Sequence, residues 1–161
     1  MKEKYARIAK LADVLELAPK IRKGDRAEIR ASDNASPLEA LIVPFTIEGH
    51  KTYSIIGTKE EGVIGMFGTT PSEKEGYGCA WLLSSEDLFN HKKQFLKECP
   101  QWVEQMSEGY EYLYNFVDKR NWKSLKWLQF LGFEVKEELG EYGHEKRSFL
   151  LLMKEAELCA A

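Results

Sequence analysis

The residues best placed to do chemistry lie in one short run, N-W-K-S-L-K-W-L-Q-F-L-G-F, from Asn121 to Phe133. An asparagine ahead of an apolar-periodic stretch is a helix N-cap, and a glycine behind it is a helix stop. The start of such a helix carries unpaired N–H groups and the positive end of the helix dipole, so it suits an anion. Asn121 and Gly132 nonetheless account for the helix on structural grounds alone. Ser84, with Asp87 three residues on, repeats the signature of a capped helix start. Nucleophile and metal chemistry have less to draw on. Cys79, Cys99 and Cys159 are odd in number, far apart and free of any C-x-x-C spacing, which fits a reduced, intracellular compartment rather than a disulfide framework. Cys99 could act as a nucleophile, but an inert, semi-buried thiol is the plainer reading. His50, His91 and His144 lack metal-ligand spacing, so no metal is expected, and His91 beside Lys92 and Lys93 reads as a solvated helix face.

The whole chain narrows the classes further. Its 161 residues suit a single domain, taken here as 1–161, and 43% hydrophobic residues suffice for a real core. The net charge of −3 is spread over mixed signs, so neither nucleic acid nor an anionic membrane is the expected partner. No apolar run approaches the roughly 18 residues of a membrane span. The charged N-terminal stretch lacks the apolar region of a signal peptide.

The elements that must position these residues follow from periodicity and punctuation. A first strand is expected at Tyr5–Ala9, then helices at Val14–Ile21 behind Ala12-Asp13, at Arg26–Ala31 behind a Gly24-Asp25 stop and cap, and at Pro37–Leu41. Tyr53–Thr58 and Val63–Thr69 are β-rich around a tight turn at Lys59–Gly62, and Cys79–Leu83 is a short buried strand. Ser84 opens a long helix that Pro100 divides and that resumes to Met106. In the strand Tyr110–Val117, Tyr110, Tyr112, Tyr114 and Phe116 share one face and Leu113 and Val117 the other, as in a central strand covered on both sides. Trp122–Leu131 is the capped helix, with Trp122, Leu125, Leu128 and Leu131 as a core stripe. Strands at Phe133–Lys136 and Phe149–Met153 flank a turn at Gly140–Gly143. The sum is an α/β (α+β) domain with a mixed sheet of six or seven strands, antiparallel early and parallel around the long helix, with helices on both faces.

This element order, and the Asn121–Phe133 motif above all, resembles the GCN5-related N-acetyltransferase (GNAT) fold. A narrower pattern is similar to a GNAT-like family of T7-like podophages, the internal virion protein A family. It runs Ala12-Asp13, Ile21-Arg22-x-x-Asp25-x-x-Glu28-Ile29-x-Ala31, Pro37-x-x-Ala40-Leu41 and Val117-Asp118-x-x-Asn121. The resemblance implies acetyl-CoA as cofactor, with Leu82, Ser84, Ser85, Asn121 and Ser124 as its contacts. The phage family implies virion or host proteins as partners and a place in the host cytoplasm or the virion.

Acyl transfer from a thioester to an amine needs a held pyrophosphate, a polarised carbonyl oxygen and an acid for the departing thiolate. The chain departs from the family at two of these points. The stretch from Trp81 to Phe95, where the family has a glycine-rich pyrophosphate loop, holds no glycine and carries Glu86 and Asp87. Leu128 stands where the family often places an acidic tyrosine. Tyr112 and Tyr114 could substitute, though sheet-face tyrosines more often pack. Glu28 and Glu48 are candidate bases that read equally well as surface carboxylates. The two functional expectations are a GNAT-fold protein with a degenerate cofactor loop that binds or acylates weakly, and an active acetyl-CoA-dependent N-acetyltransferase.

Overall fold

The computed structural model describes residues 5–156. In chain order the elements are β1 (Ala6–Ile8), α1 (Leu11–Leu17), α2 (Lys23–Asp33), α3 (Pro37–Ile42), β2 (Lys51–Ile56), β3 (Val63–Pro71), β4 (Tyr77–Ser84), α4 (Lys92–Ser107), β5 (Tyr112–Asp118), α5 (Trp122–Phe130), β6 (Glu134–Tyr142) and β7 (Arg147–Glu155). The seven strands form one sheet in the order β1-β2-β3-β4-β5-β7-β6. Among the described residues only β4 and β5 run parallel. Their ladder covers Tyr77↔Tyr112 to Cys79↔Tyr114 and then stops, although both strands continue. A wedge-shaped gap therefore opens between the ends of β4 and β5, and this gap organises the site.

Helices cover both faces. Val14, Leu17, Ile29 and Leu41 of α1–α3 pack on Val63, Met66 and Leu83 of the sheet. Cys99, Val103 and Met106 of α4, with Leu128 at the end of α5, pack on Ile55, Phe67, Leu113, Val117 and Leu152 from the other side. The end of α5 shows why the chain turns there. Gly132 takes φ +95°, its N–H reaches the Gln129 carbonyl at 3.0 Å, and the Phe133 N–H reaches the Leu128 carbonyl at 3.0 Å. That pair of bonds is a Schellman stop, which a residue with a Cβ enters only at a cost.

Several local expectations need correction. Pro100 does not divide α4, which is continuous from Lys92 to Ser107. The lost hydrogen bond is outweighed by packing, since Cys99, Val103 and Met106 around it are all buried. Ser84 does not open a helix: Ser85 does, accepting the Asp87 N–H in front of a 3-10 segment, Glu86–His91, that precedes α4. Gly24-Asp25 is not a cap, because α2 starts a turn earlier with Arg22 at the N-cap. The first helix starts at Leu11 rather than Val14, with the Asp13 carboxylate accepting the Lys10 N–H at 2.9 Å. The hairpin of β6 and β7 turns beyond Tyr142, not across Gly140–Gly143, because the Gly143 backbone lies against α2 and the His144 N–H bonds to the Ser32 carbonyl. His91 is no solvated residue, since its Nε2 lies 2.7 Å from Glu61 Oε1.

Candidate functional site

On the α4–α5 side the gap leads into a cleft of about 240 Å³. Leu82 and Ser84 of β4 form its floor, Leu88 and Phe89 of the 3-10 segment and Phe95 of α4 one wall, and Ser124, Trp127 and Phe130 of α5 the other. Lys92, Lys123 and Lys126 stand on its rim. Two of the ammonium groups lie over aromatic faces: Lys123 Nζ is 4.1 Å from the Phe89 ring centre and Lys126 Nζ is 5.1 Å from that of Trp122. Apolar walls with a cationic rim suit a ligand that has an apolar or amide body and an anionic end.

The backbone of β4 also faces this space. Ser84 exchanges its N–H and C=O with groups outside β3, so the alternation of an antiparallel ladder turns the N–H and C=O of Leu82, two residues earlier, to the same side. No strand meets them there, because the β4–β5 ladder ends at Cys79.

The α2 side of the gap is filled. The Arg22 N–H donates to the Ser84 carbonyl at 2.9 Å, and Asp25 Oδ2 accepts the Ser84 N–H at 3.1 Å. Glu28 Oε1 accepts the Asp118 N–H at the end of β5 at 2.8 Å. Between them, Arg22 Nη2 donates to Asp25 Oδ1 at 2.6 Å, Asn121 Oδ1 at 2.7 Å and Ser124 Oγ at 3.1 Å. Asn121 Nδ2 completes the lattice, donating to Asp25 Oδ1 at 3.1 Å and Glu28 Oε1 at 3.3 Å. Arg22 is 7% exposed and Asp25 1%. The parting strands leave backbone groups that interior apolar packing would strand, and the carboxylates of α2 pair them.

These contacts set the titration of the wedge. Burial drives the Glu28 carboxyl up to about 8, and the neighbouring Asp25 carboxylate adds to the shift. Burial also raises Asp25, against the pull of Arg22 and the Ser84 N–H. Asp118 moves the other way: its carboxylate is paired with the Arg120 guanidinium at 2.6 Å and is held low despite burial. Cys99 is no nucleophile: it is buried, burial pushes its thiol up to about 12, and Sγ accepts the Trp127 indole N–H at 3.3 Å.

Of the residues expected at a cofactor site, Leu82, Ser84 and Ser124 line the cleft. Asn121 lies behind it: it is the N-cap residue of α5, its carbonyl accepting the Leu125 N–H at 3.1 Å, but its side chain makes no cap bond because it is turned into the wedge by Arg22, Asp25 and Glu28. Ser85 is buried elsewhere, donating to the Ile64 carbonyl. Tyr112 and Tyr114 sit on the opposite face of β5, both against Tyr77 with ring centres at 5.1 and 6.4 Å, and do not line the cleft. Glu28 is no surface carboxylate, whereas Glu48 is exposed. Trp122, expected in the core, is 56% exposed at the cleft mouth. Leu128 is buried at 2%. Cys159 lies outside the described residues. Arg22 and Asp25 appear in the sequence reading only within the resemblance pattern and, for Asp25, as a helix cap, and neither they nor the rim lysines were expected at the site. The three-residue spacing of Arg22, Asp25 and Glu28 was the available signal, since it sets them along one side of a helix.

No family model matches the chain, and no curated protein matches it in sequence. Solved structures do match. The ribosomal-protein-S5-alanine acetyltransferase of Vibrio fischeri superposes with a TM-score of 0.68 at 16% identity, covering 98% of this chain and 96% of the other. An acetyltransferase of the GNAT family from Bacillus anthracis gives 0.68 at 11%, covering 96% of each chain. Spermidine N-acetyltransferase from Vibrio cholerae, in complex with CoA and spermine, gives 0.66 at 13%, covering 93% of this chain and 94% of the other. At these identities the likeness is one of fold, and the fold is that of the GNAT acetyltransferases. Among the described residues no helix is long and apolar enough to cross a membrane, and no cluster of His, Cys, Asp and Glu could hold a metal ion.

Proposed function

We propose that this chain binds an acyl-coenzyme A in the α4–α5 cleft and is an acetyltransferase-like protein that acylates an amine. The carrying observation is the cleft's position: it opens where β4 leaves β5 and exposes the Leu82 backbone. The residues fit the group. The Leu82 N–H and C=O can pair with the amides of a pantetheine arm, while Phe95, Trp127 and Leu88 shield its methylenes. Residues 86–91, within the stretch where the resemblance expects a glycine-rich loop, form a 3-10 segment capped by Ser85. The phosphates are therefore assigned to the ammonium groups of Lys92, Lys123 and Lys126 rather than to loop N–H groups. When bound, the coenzyme supplies an activated acyl thioester. On the chain's side, Glu28 is the candidate to take the proton released by an amine; it lies in the filled wedge behind the cleft, held by the Asp118 N–H, and its carboxyl is raised to about 8, so it can accept a proton only where it is ionised, towards pH 8 and above.

Calorimetric titration with acetyl-CoA and desulfo-CoA tests this reading. Micromolar binding of both supports it, and no heat at millimolar ligand ends it.

A second reading is a binding protein without turnover. It is favoured by Asp25, which already holds the Ser84 N–H, and by Leu128, a buried side chain with no proton to give. The finer assignment goes with it: a podophage internal virion protein, with virion or host proteins as partners in the host cytoplasm. That assignment rests on the residue pattern from Ala12 to Asn121 alone. Mass spectrometry of purified particles for this chain is its test, and absence from the particle would remove the virion role.

A further inference from the structure

We propose that Arg22 is the group that meets the carbonyl oxygen of an acyl thioester in the cleft, the role that a backbone N–H at the very end of β4 cannot take here. The inference rests on the acyl-CoA reading above. The Ser84 N–H is committed to Asp25 Oδ2 at 3.1 Å, so the last amide of β4 is closed to a ligand. Arg22 lines the same cleft and is 7% exposed.

Its placement is built in at both ends. The Arg22 N–H is tied to the Ser84 carbonyl at 2.9 Å, beside a bridge between Ile21 and Ser85, which fixes the residue against the end of β4. Its side chain crosses the gap to α5, where Asn121 Oδ1 and Ser124 Oγ hold it at 2.7 and 3.1 Å. Those bonds and the one to Asp25 all leave from Nη2. A guanidinium has five N–H donors, so Nε and Nη1 keep donors in hand.

Gly24 lets the guanidinium lie against the start of α2. A Cβ there would lie 2.5 Å from Arg22 Nη1 and 3.3 Å from Asn121 Oδ1, so even a methyl would displace the group. The guanidinium is paired with Asp25 on its wedge side and lines a cleft with apolar walls on the other, where a fixed donor acts on a carbonyl dipole more strongly than it would in water and costs no reorganisation when the ligand arrives.

The test compares acetyl-CoA with S-ethyl-CoA, a thioether of the same length without the carbonyl. Calorimetric titration of the wild type should find acetyl-CoA tighter by roughly tenfold, the scale of a hydrogen bond to a charged group. The readout is the ratio of the two affinities in each protein, and Arg22→Met should bring that ratio close to one. Gly24→Ala, which keeps the charge and moves it, should reduce the ratio in the same direction. If Arg22→Met fails to fold by circular dichroism, Gly24→Ala and Arg22→Lys carry the comparison. Full discrimination in the variants would assign the carbonyl to the Leu82 N–H and overturn the inference. Equal wild-type affinities for the two ligands would overturn it as well, while leaving the cleft a coenzyme site. Binding of neither ligand would instead bring down the acyl-CoA reading.

Discussion

The gap between β4 and β5 has two sides, and the chain treats them in opposite ways. On the α2 side it is packed with charge: Arg22, Asp25, Glu28 and Asn121 pair with one another and with the Ser84 and Asp118 amides. On the α4–α5 side it is left as a cleft with apolar walls and lysines at the rim. The same opening of the sheet creates both. Stranded backbone groups must be satisfied from somewhere, and here α2 does so on one side while Leu82 is left facing the other. The closed side is where stability is concentrated, and the open side is where a ligand is expected.

The largest expected effect breaks the closed side. Asp25→Ala would leave the Arg22 guanidinium buried without its carboxylate and the Ser84 N–H without its acceptor, and should cost about 3–5 kcal/mol in urea unfolding. A loss below about 1 kcal/mol would mean that the wedge is wet and its pairing incidental.

The next change acts on the helix that both sides share. Gly132→Ala forces a Cβ into φ +95° and should cost about 1–2 kcal/mol, without altering cleft chemistry.

On the open side, Lys123→Glu combined with Lys126→Glu should weaken coenzyme A binding by roughly tenfold or more at low salt, with unfolding free energy nearly unchanged. Unchanged affinity would remove the lysine rim from the account.

The smallest effect is a slope. The Glu28 carboxyl is raised in the folded chain to about 8 from an ordinary 4.5, so the folded state holds a proton that the unfolded state has released between those values. Its contribution to stability is full below about pH 4.5 and is lost as pH rises towards 8. Glu28→Gln mimics the protonated carboxyl, so the variant should lose less stability than the wild type between pH 5 and 8. Parallel melting curves across that range would show that Glu28 titrates normally.

The fold was largely legible in the sequence, and the reasons are local. Periodicity, the Gly132 stop and the tight turn at Lys59–Gly62 mark most elements, and the parallel pairing beside the long helix follows from their order. The site was legible only where it coincides with a strand floor or a helix wall: Leu82, Ser84 and Ser124. Capping logic put Asn121 correctly at the N-cap of α5 but missed where its side chain goes, because a buried guanidinium 99 residues away in sequence competes for it, and local rules do not see such a partner. The same blindness hid Arg22 and Asp25. Arg22 enters only through the resemblance pattern and Asp25 also as a helix cap, and neither reading places them where β4 and β5 part. Trp122 was assigned to the core by its spacing, but its position at the first turn of α5 leaves it at the cleft mouth.

The most direct test of the account is a map of backbone amide shifts during titration with coenzyme A. The account predicts that the largest changes fall on Leu82, Lys92, Ser124 and Trp127, while Ile29 and Ala31 of α2 stay in place. Shifts confined to α2 and its neighbours, or none at saturating ligand, would contradict the division of the gap into a closed side and a binding side.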